Sequence, residues 1–516
     1  MENVKLPDLS QGVSADRLAN GQMLQGKVAE EDVLLVRQDD QFFAVGANCT
    51  HYHANLAEGS IVGDEVRCPL HHACFNLRTG MARCAPAFDA IPRWRVERVA
   101  ETVFVREKLP SLAQYPETGS PKPPHSPSSV VIVGGGAAGL AAADMLRRKG
   151  YAGPLAMISA DDSAPYDRPN VSKDYIQQPI PDEWMNLRLP DFYKEQGIDL
   201  ILNSRVSSID VRRKQLQLLD GKTREYDALL LATGADVIKL AIPGANDSDV
   251  FYVRTWSDAR ALFQKAGSAK RVAVVGASFI GLEVASALRS RGLEVHVVAP
   301  EAQPFERTLG AEVGGFFRAL HESQGVNFHL GRTVSRRDGT LVTLSDGSEF
   351  HADFLVLGVG VRPALALAEA AGLKIDRGVL VNQYLETSVA GIYAAGDIAR
   401  WPDPHTGQQI RVEHWVVAER QGQIAARNIL GHQEPFDFVP FFWTAQFGVT
   451  LKYVGHAERW DSIEIQGSLD AHDCAILYKQ SGKTLAVATI GRDGQSLESE
   501  AALEASLRSS PRAVHD

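Results

Sequence analysis

Val130-Val-Ile-Val-Gly-Gly-Gly-Ala-Ala-Gly139 decides the fold of most of this 516-residue chain. Four apolar residues of a buried-strand type run into G-x-G-x-x-G, and an alanine-rich helical pattern follows to about Gly150. Gly134 permits the tight turn, Gly136 lets the backbone approach a pyrophosphate, and Gly139 brings the helix against the sheet. The first N–H groups of that helix face the phosphates. Asp161, after Leu155-Ala-Met-Ile158, stands about twenty residues on, where a ribose-binding acid is expected. The unit recurs. Arg271-Val-Ala-Val-Val275 leads into Gly276-Ala-Ser278-Phe-Ile-Gly281, then Val295-His-Val-Val298 and Glu301. Ser278 replaces the middle glycine and implies a slightly wider approach. A carboxylate at Glu301 would accept from both ribose hydroxyls and repel a 2′-phosphate, which favours NADH over NADPH. The strand end carries no arginine, and Arg307 is six residues further. The alternative for Glu301 is a solvated turn residue.

A second constellation lies upstream. Cys49-Thr-His51 and Cys68-Pro-Leu-His71 are separated by sixteen residues. Each loop offers one thiolate and one imidazole. That set suits a two-iron, two-sulfur centre of the Rieske type, with two cysteines on one iron and two histidines on the other. A structural zinc site, or buried thiols beside surface histidines, is the alternative. Val33–Val36 and Phe42–Val45 read as short strands framing the loops.

Composition sets bounds. The length suits three or four domains. Hydrophobic residues make 45% and charged residues 22%, ordinary for a globular protein. A net charge of −10 argues against general nucleic-acid binding. The sequence has no apolar run long enough for a membrane span and no visible secretory signal. Five cysteines are too few for a disulfide framework, and Cys74, Cys84 and Cys474 read as packing thiols. The expected location is the cytoplasm.

Six prolines in 109–127 forbid a helix or a central strand, so this stretch reads as an extended linker of at most about 60 Å. The expected organisation is a cluster domain at 1–108, the linker at 109–127, a first dinucleotide-binding domain at 128–248 and 371–433, an NAD-binding domain at 249–370, and a C-terminal domain at 434–516. The fold class is an all-β Rieske domain fused to an α/β two-Rossmann unit, with a small α+β domain at the end; the resemblance below implies that the two-Rossmann unit is a flavoprotein.

Further motifs carry a resemblance. Pro165-Tyr-Asp-Arg168-Pro-Asn-Val-Ser-Lys173 follows Asp161, Ala232-Thr-Gly234 ends one apolar strand, and Ala394-Ala-Gly396-Asp397 ends another. Residues 1–108 resemble a Rieske ferredoxin domain, with Cys49, His51, Cys68 and His71 on its ligand positions. Residues 128–510 resemble the ferredoxin-reductase-like FAD enzymes of oxygenase systems and their apoptosis-inducing-factor-like relatives. The resemblance implies that Gly134, Gly136, Gly139, Asp161, Arg168, Ala232, Gly234 and Gly396 hold FAD, and that Asp397 binds its ribityl hydroxyls. It implies that Lys173 pairs with Glu283 beside the flavin, and that His414, Trp415 and Trp443 approach the ring. Core packing is the alternative for both tryptophans, and capping of a following helix is the alternative for Asp397.

The chain departs from its relatives at Asn170, where proline is common, and at His72, where glycine is common. Respiratory Rieske proteins brace their loops with a disulfide, and Leu70 occupies that place here. A potential near the low end of the Rieske range, about −150 mV, follows. The resemblance also implies that His51 and His71 lie at an exposed tip. The flavin region has no Cys-x-x-x-x-Cys relay, so its electrons are expected to leave through the cluster. The reading is an NADH-dependent FAD and [2Fe-2S] oxidoreductase feeding an acceptor protein such as an oxygenase or haem protein. The alternatives are a redox sensor, or an oxidase using oxygen or quinone. A homodimer is an arrangement the sequence leaves open.

Overall fold

The computed structural model describes residues 6–115 and 123–509. Part of the proline-rich linker, 116–122, lies outside the described residues. Its two flanks are fastened. Gln114 donates to the Phe88 carbonyl, Tyr115 donates to Asp144, and the His125 N–H donates to Leu430 O. A freely swinging tether is not what these contacts describe.

The cluster domain is all-β. An antiparallel six-stranded sheet contains Glu31–Gln38 and Gln41–Gly46, as the alternation predicts. A smaller sheet runs through Ser60–Val62, Glu65–Arg67, Cys74–Asn76 and Ala82–Cys84. The first cluster loop leaves the end of Gln41–Gly46. The second joins Glu65–Arg67 to Cys74–Asn76.

Both glycine turns sit in parallel sheets. Val130–Val133 lies between Leu155–Ile158 and Ala228–Leu231, and Ile392–Ala394 closes one edge. Arg271–Val275 lies between Glu294–Ala299 and Phe354–Leu357. These strands are buried on both faces, which is why they read as unbroken apolar runs. An antiparallel ribbon of Ala235–Val237 and Val361–Pro363 joins the two units. An antiparallel five-stranded sheet and the helix Asp493–Ser509 complete the chain. Among the described residues no helix is long and apolar enough to cross a membrane.

The glycines act as the spacing predicts. Gly134 has φ +124°, and a Cβ there would fall 2.0 Å from Ala232 O. A Cβ on Gly139 would fall 2.0 Å from Gly134 O. The second unit copies this, with Gly276 at φ +112° and 2.3 Å from Gly358 O, and Gly281 2.2 Å from Gly276 O. Any side chain at these four positions would push strand and helix apart.

Candidate functional site: a nucleotide cavity beside a cluster loop

A cavity of about 320 Å³ opens where both glycine turns, the Arg168–Lys173 segment and the C-terminal sheet meet. Its wall includes Gly136, Arg168, Lys173, Ala232, Gly234, Ser278, Glu283, Gly396, Asp397, His414, Trp415 and Trp443. Gly134, Gly139, Gly276 and Gly281 lie behind the wall as the spacers just described. Asp161 and Glu301 are placed outside this cavity. The Asp161 carboxylate accepts from Tyr166 Oη at 2.9 Å and from the Ser163 N–H at 3.3 Å. Glu301 pairs with Arg307 at 3.6 Å, so the arginine that the sequence distances from it turns back beside it. That guanidinium is 84% exposed and free to swing away.

Lys173 and Glu283, 110 positions apart in the sequence, meet at 2.9 Å. Glu283 is buried and satisfied three ways, because Ser172 and Thr444 also donate to it at 2.6 and 2.7 Å. A buried carboxylate needs such partners to stay charged. Lys173 Nζ also donates to Pro169 O at 3.1 Å, which aims it along the cavity wall.

Asp397 pairs with Arg254 at 2.8 Å. The element that follows it is the strand Ala399–Pro402, so helix capping is not its role. Arg254 lines the same wall and carries no sequence motif that would have singled it out. The helix Trp415–Ile429 runs against Ala137–Arg148. A Cβ on Gly422 would strike Ala138 O at 2.2 Å, so the two helices touch through that glycine.

The wall suits a dinucleotide. Beside Gly136 the nearest side-chain atoms are the Arg168 guanidinium nitrogens, 3.9 Å from where a Cβ would sit, so a phosphate there would meet backbone N–H groups and a cation together. Buried polar atoms Arg168 Nε and His414 Nδ1 have no partner in the protein. Burial, then His456, pushes His414 down to about 3, so it faces the cavity as a neutral imidazole.

The cluster loops abut this cavity. The Cys49 and Cys68 thiols are in hydrogen-bond contact, and His51 Nδ1 lies 3.2 Å from His71 Nδ1. Cysteine thus meets cysteine, and histidine meets histidine. The Cys49 thiol pushes Cys68 down to about 7 against its burial, helped by the Leu70 and His71 N–H groups. Burial pushes His51 down to about 4 and holds His71 well below the usual range. Both imidazoles are therefore neutral, the form that binds metal. A single zinc would need its donors in one compact group. Among the described residues that description fits only Glu65, Cys74 and Cys84, whose donor atoms lie within 4.8 Å of one another. Two like pairs fit a two-iron centre instead.

The histidine edge is not an exposed tip in the assembled chain. His71 is 4% exposed, and its ring lies 3.9 Å from the Trp443 ring, which also lines the cavity. The second cluster loop is gripped from the flavoprotein side. Lys452 Nζ donates to Pro69 O at 2.7 Å, and Arg420 donates to His72 O at 2.9 Å. Glu500 bonds His72 Nδ1 at 2.9 Å, Arg420 at 2.9 Å and Arg67 at 3.2 Å. His72 has φ +59°, a backbone conformation that favours glycine, and its ring anchors the domain. Neither Arg420 nor Glu500 carries a motif, and they stand 348 and 428 positions from His72.

Fold and site define a flavoprotein oxidoreductase with two dinucleotide units, built to hold FAD and a pyridine nucleotide, joined to a Rieske [2Fe-2S] domain. The chain belongs to the pyridine nucleotide-disulphide oxidoreductase family, whose sequence model matches residues 128–422. The Rieske [2Fe-2S] domain matches 12–96, and the reductase C-terminal domain matches 441–516. Apoptosis-inducing factor 3 of Homo sapiens is 36% identical over 491 residues, 92% of this chain and 80% of that protein. The ferredoxin–NAD(+) reductase component of the anthranilate 1,2-dioxygenase system of Burkholderia cepacia is 38% identical over 330 residues, 63% of this chain and 81% of its own. The crystal structure of the covalent putidaredoxin reductase–putidaredoxin complex superimposes with a TM-score of 0.71 at 32% identity, covering 74% of this chain and 94% of that one.

Proposed function

We propose that the chain is an NADH-dependent reductase that carries its own ferredoxin-like domain and passes electrons to a separate acceptor protein. The observation that carries this reading is Trp443, one side chain shared by the nucleotide cavity and the ring of His71. When bound, the flavin accepts two electrons from NADH and the cluster carries them away singly. The relative from Burkholderia cepacia is named for NAD(+) and ferredoxin, and the putidaredoxin reductase complex pairs a reductase with a separate partner. Here the N-terminal domain takes a partner's place within one chain.

The residues divide the work. Arg168 and the Gly134–Gly139 turn hold a pyrophosphate, and Arg254 with Asp397 meets the sugar chain between phosphate and ring. Lys173, fixed by Glu283, sets a positive charge at the reacting end of the cavity, where hydride arrives as negative charge builds. Phe442, His414 and Trp415 line the ring's surroundings and exclude water. The second glycine turn, with Ser278, holds the nicotinamide nucleotide, and Glu301 receives the ribose hydroxyls. Cys74, Cys84 and Cys474, the cysteines outside the ligand set, form no disulfide, which suits a reducing compartment, and we place the protein in the cytoplasm. Steady-state reduction of an artificial dye tests the donor. kcat/KM should be higher with NADH than with NADPH, and Glu301→Gln should narrow the gap. A preference for NADPH in the unaltered protein would overturn the assignment of Glu301.

A further inference from the structure

Trp443 and the flavoprotein cover His71, yet an acceptor protein must still come close to the cluster. The other ligand edge is open. The Tyr52 ring stacks on His51 at 4.1 Å, with 9° between the planes, and Tyr52 is 40% exposed. Its hydroxyl bonds the Asp167 carboxylate. The Asp167 N–H in turn donates to Met185 O at 2.8 Å, next to Trp184. The same segment is tied back to the first cluster loop at its other end. Arg188 pairs with Asp89 at 2.8 Å, and Thr50 Oγ1 donates to Asp89 O at 2.7 Å.

These contacts draw the segment that carries Trp184 and Leu189 against the loop that carries Tyr52, and all three side chains stay exposed. They are 40%, 72% and 61% exposed, three of the eight large apolar side chains exposed among the described residues. An exposed apolar patch of this kind marks an interaction site. Its rim is acidic. Asp182 and Glu183 precede Trp184, and Asp174 stands on the segment that leads to them, all exposed, with Arg260 reaching Asp182 at 3.5 Å.

We propose that this face is the docking site of the one-electron acceptor, and that the acceptor is a protein with a basic rim around its cofactor edge. The inference rests on the function proposed above. The cluster domain then stays seated on the flavoprotein while the acceptor approaches from the Tyr52 side. Each NADH yields two electrons and one proton, so two acceptors dock in turn and each takes one electron. Acid against base speeds and orients such an encounter, and an aromatic anchor supplies the tight contact.

Cytochrome c, a basic haem protein, is the probe. Its binding to the full chain at low salt is measured by calorimetry, and carbodiimide cross-links are mapped on the unaltered complex. Trp184→Ala with Leu189→Ser should weaken binding at least about tenfold. Asp182→Asn with Glu183→Gln should weaken it and flatten its salt dependence. Cross-links should fall on Asp182 or Glu183. Anaerobic reduction of the protein by NADH alone should be unchanged in all variants. Unchanged affinity and cross-links elsewhere would overturn the proposal, and would mean that acceptors reach the cluster after the domain lifts away. A change in the oligomeric state of the Trp184 variant, with cytochrome affinity intact, would also overturn it, because the patch would then serve a second copy. Failure of NADH alone to reduce the cluster would instead strike the proposed function itself.

Discussion

The two cluster loops share a backbone and differ in what holds them. In the first, the Cys49 N–H donates to Ala54 O and the His53 N–H to Cys49 O; in the second, the Cys68 N–H donates to Ala73 O and the His72 N–H to Cys68 O. The residue four beyond each cysteine is a histidine in the left-handed region, His53 at φ +55° and His72 at φ +59°. Their fates diverge. His53 is exposed, while His72 is fully buried and bonded to Glu500 and Ser496. Loop geometry therefore builds the ligand pairs, and the surroundings decide which loop faces the flavin and which faces solvent.

The largest expected effect ignores the difference. His51→Ala and His71→Ala should each abolish the cluster, read as loss of iron, acid-labile sulfide and the Rieske-type paramagnetic signal, while FAD remains bound. Survival of a full cluster in either variant would mean that the two like pairs are not the ligand set.

The difference itself should appear next. Glu500→Gln leaves Arg420 buried without its anion, while Arg67 keeps Glu504 at 2.7 Å, and breaking such a buried pair costs about 3–5 kcal/mol. Tyr52→Phe removes a bond to the Asp167 carboxylate and one from Asn170 on the open side, together worth about 2 kcal/mol. Urea denaturation followed by cluster absorbance compares them. Equal costs would refute the view that one loop is clamped and the other merely rests.

The smallest effect is in pH, and its sign is opposite for the two loops. Burial pushes Asp167, beside the first loop, up to about 6, only partly offset by Tyr52 and Lys173. Its folded form holds a proton that the unfolded chain has lost, so its cost to stability grows from about pH 4 to pH 6 and persists above. Burial also opposes ionisation of Glu500, but His72, Arg420 and Arg67 outweigh it and hold this carboxyl below the usual range. Its contribution is whole at neutral pH and is lost as pH falls below the ordinary glutamate value of 4.5. Stability measured from pH 2 to 7 should lose its decline between about pH 4 and 6 in Asp167→Asn. In Glu500→Gln it should lose its acid limb.

The sequence reveals one side of these contrasts better than the other. The ligand pairs and both glycine turns rest on local spacing, and local spacing survives in a linear reading. Lys173 with Glu283 was legible because the flavoprotein resemblance supplies the pairing. The clamp was not legible. Arg67 and Glu500 are 433 positions apart, and Arg420 and Glu500 lie on separate helices 80 positions apart. Thr444 and Arg254 complete charge pairs from elements with no motif of their own. The expected exposed histidine tip fails at His71 for the same reason, since Trp443, far along the chain, covers its ring. Arg307 was counted along the chain, whereas the turn brings it back to Glu301.

The central claim is that the docked cluster takes its electrons from the flavin of its own chain, at a position fixed by the interface. Anaerobic rapid mixing with NADH tests this most directly. Flavin bleaching should come first, and cluster reduction should follow at a rate independent of protein concentration. Adding glycine–serine residues to the linker should leave that rate unchanged. A cluster that stays oxidised while the flavin cycles, or a rate that rises with protein concentration, would contradict the account.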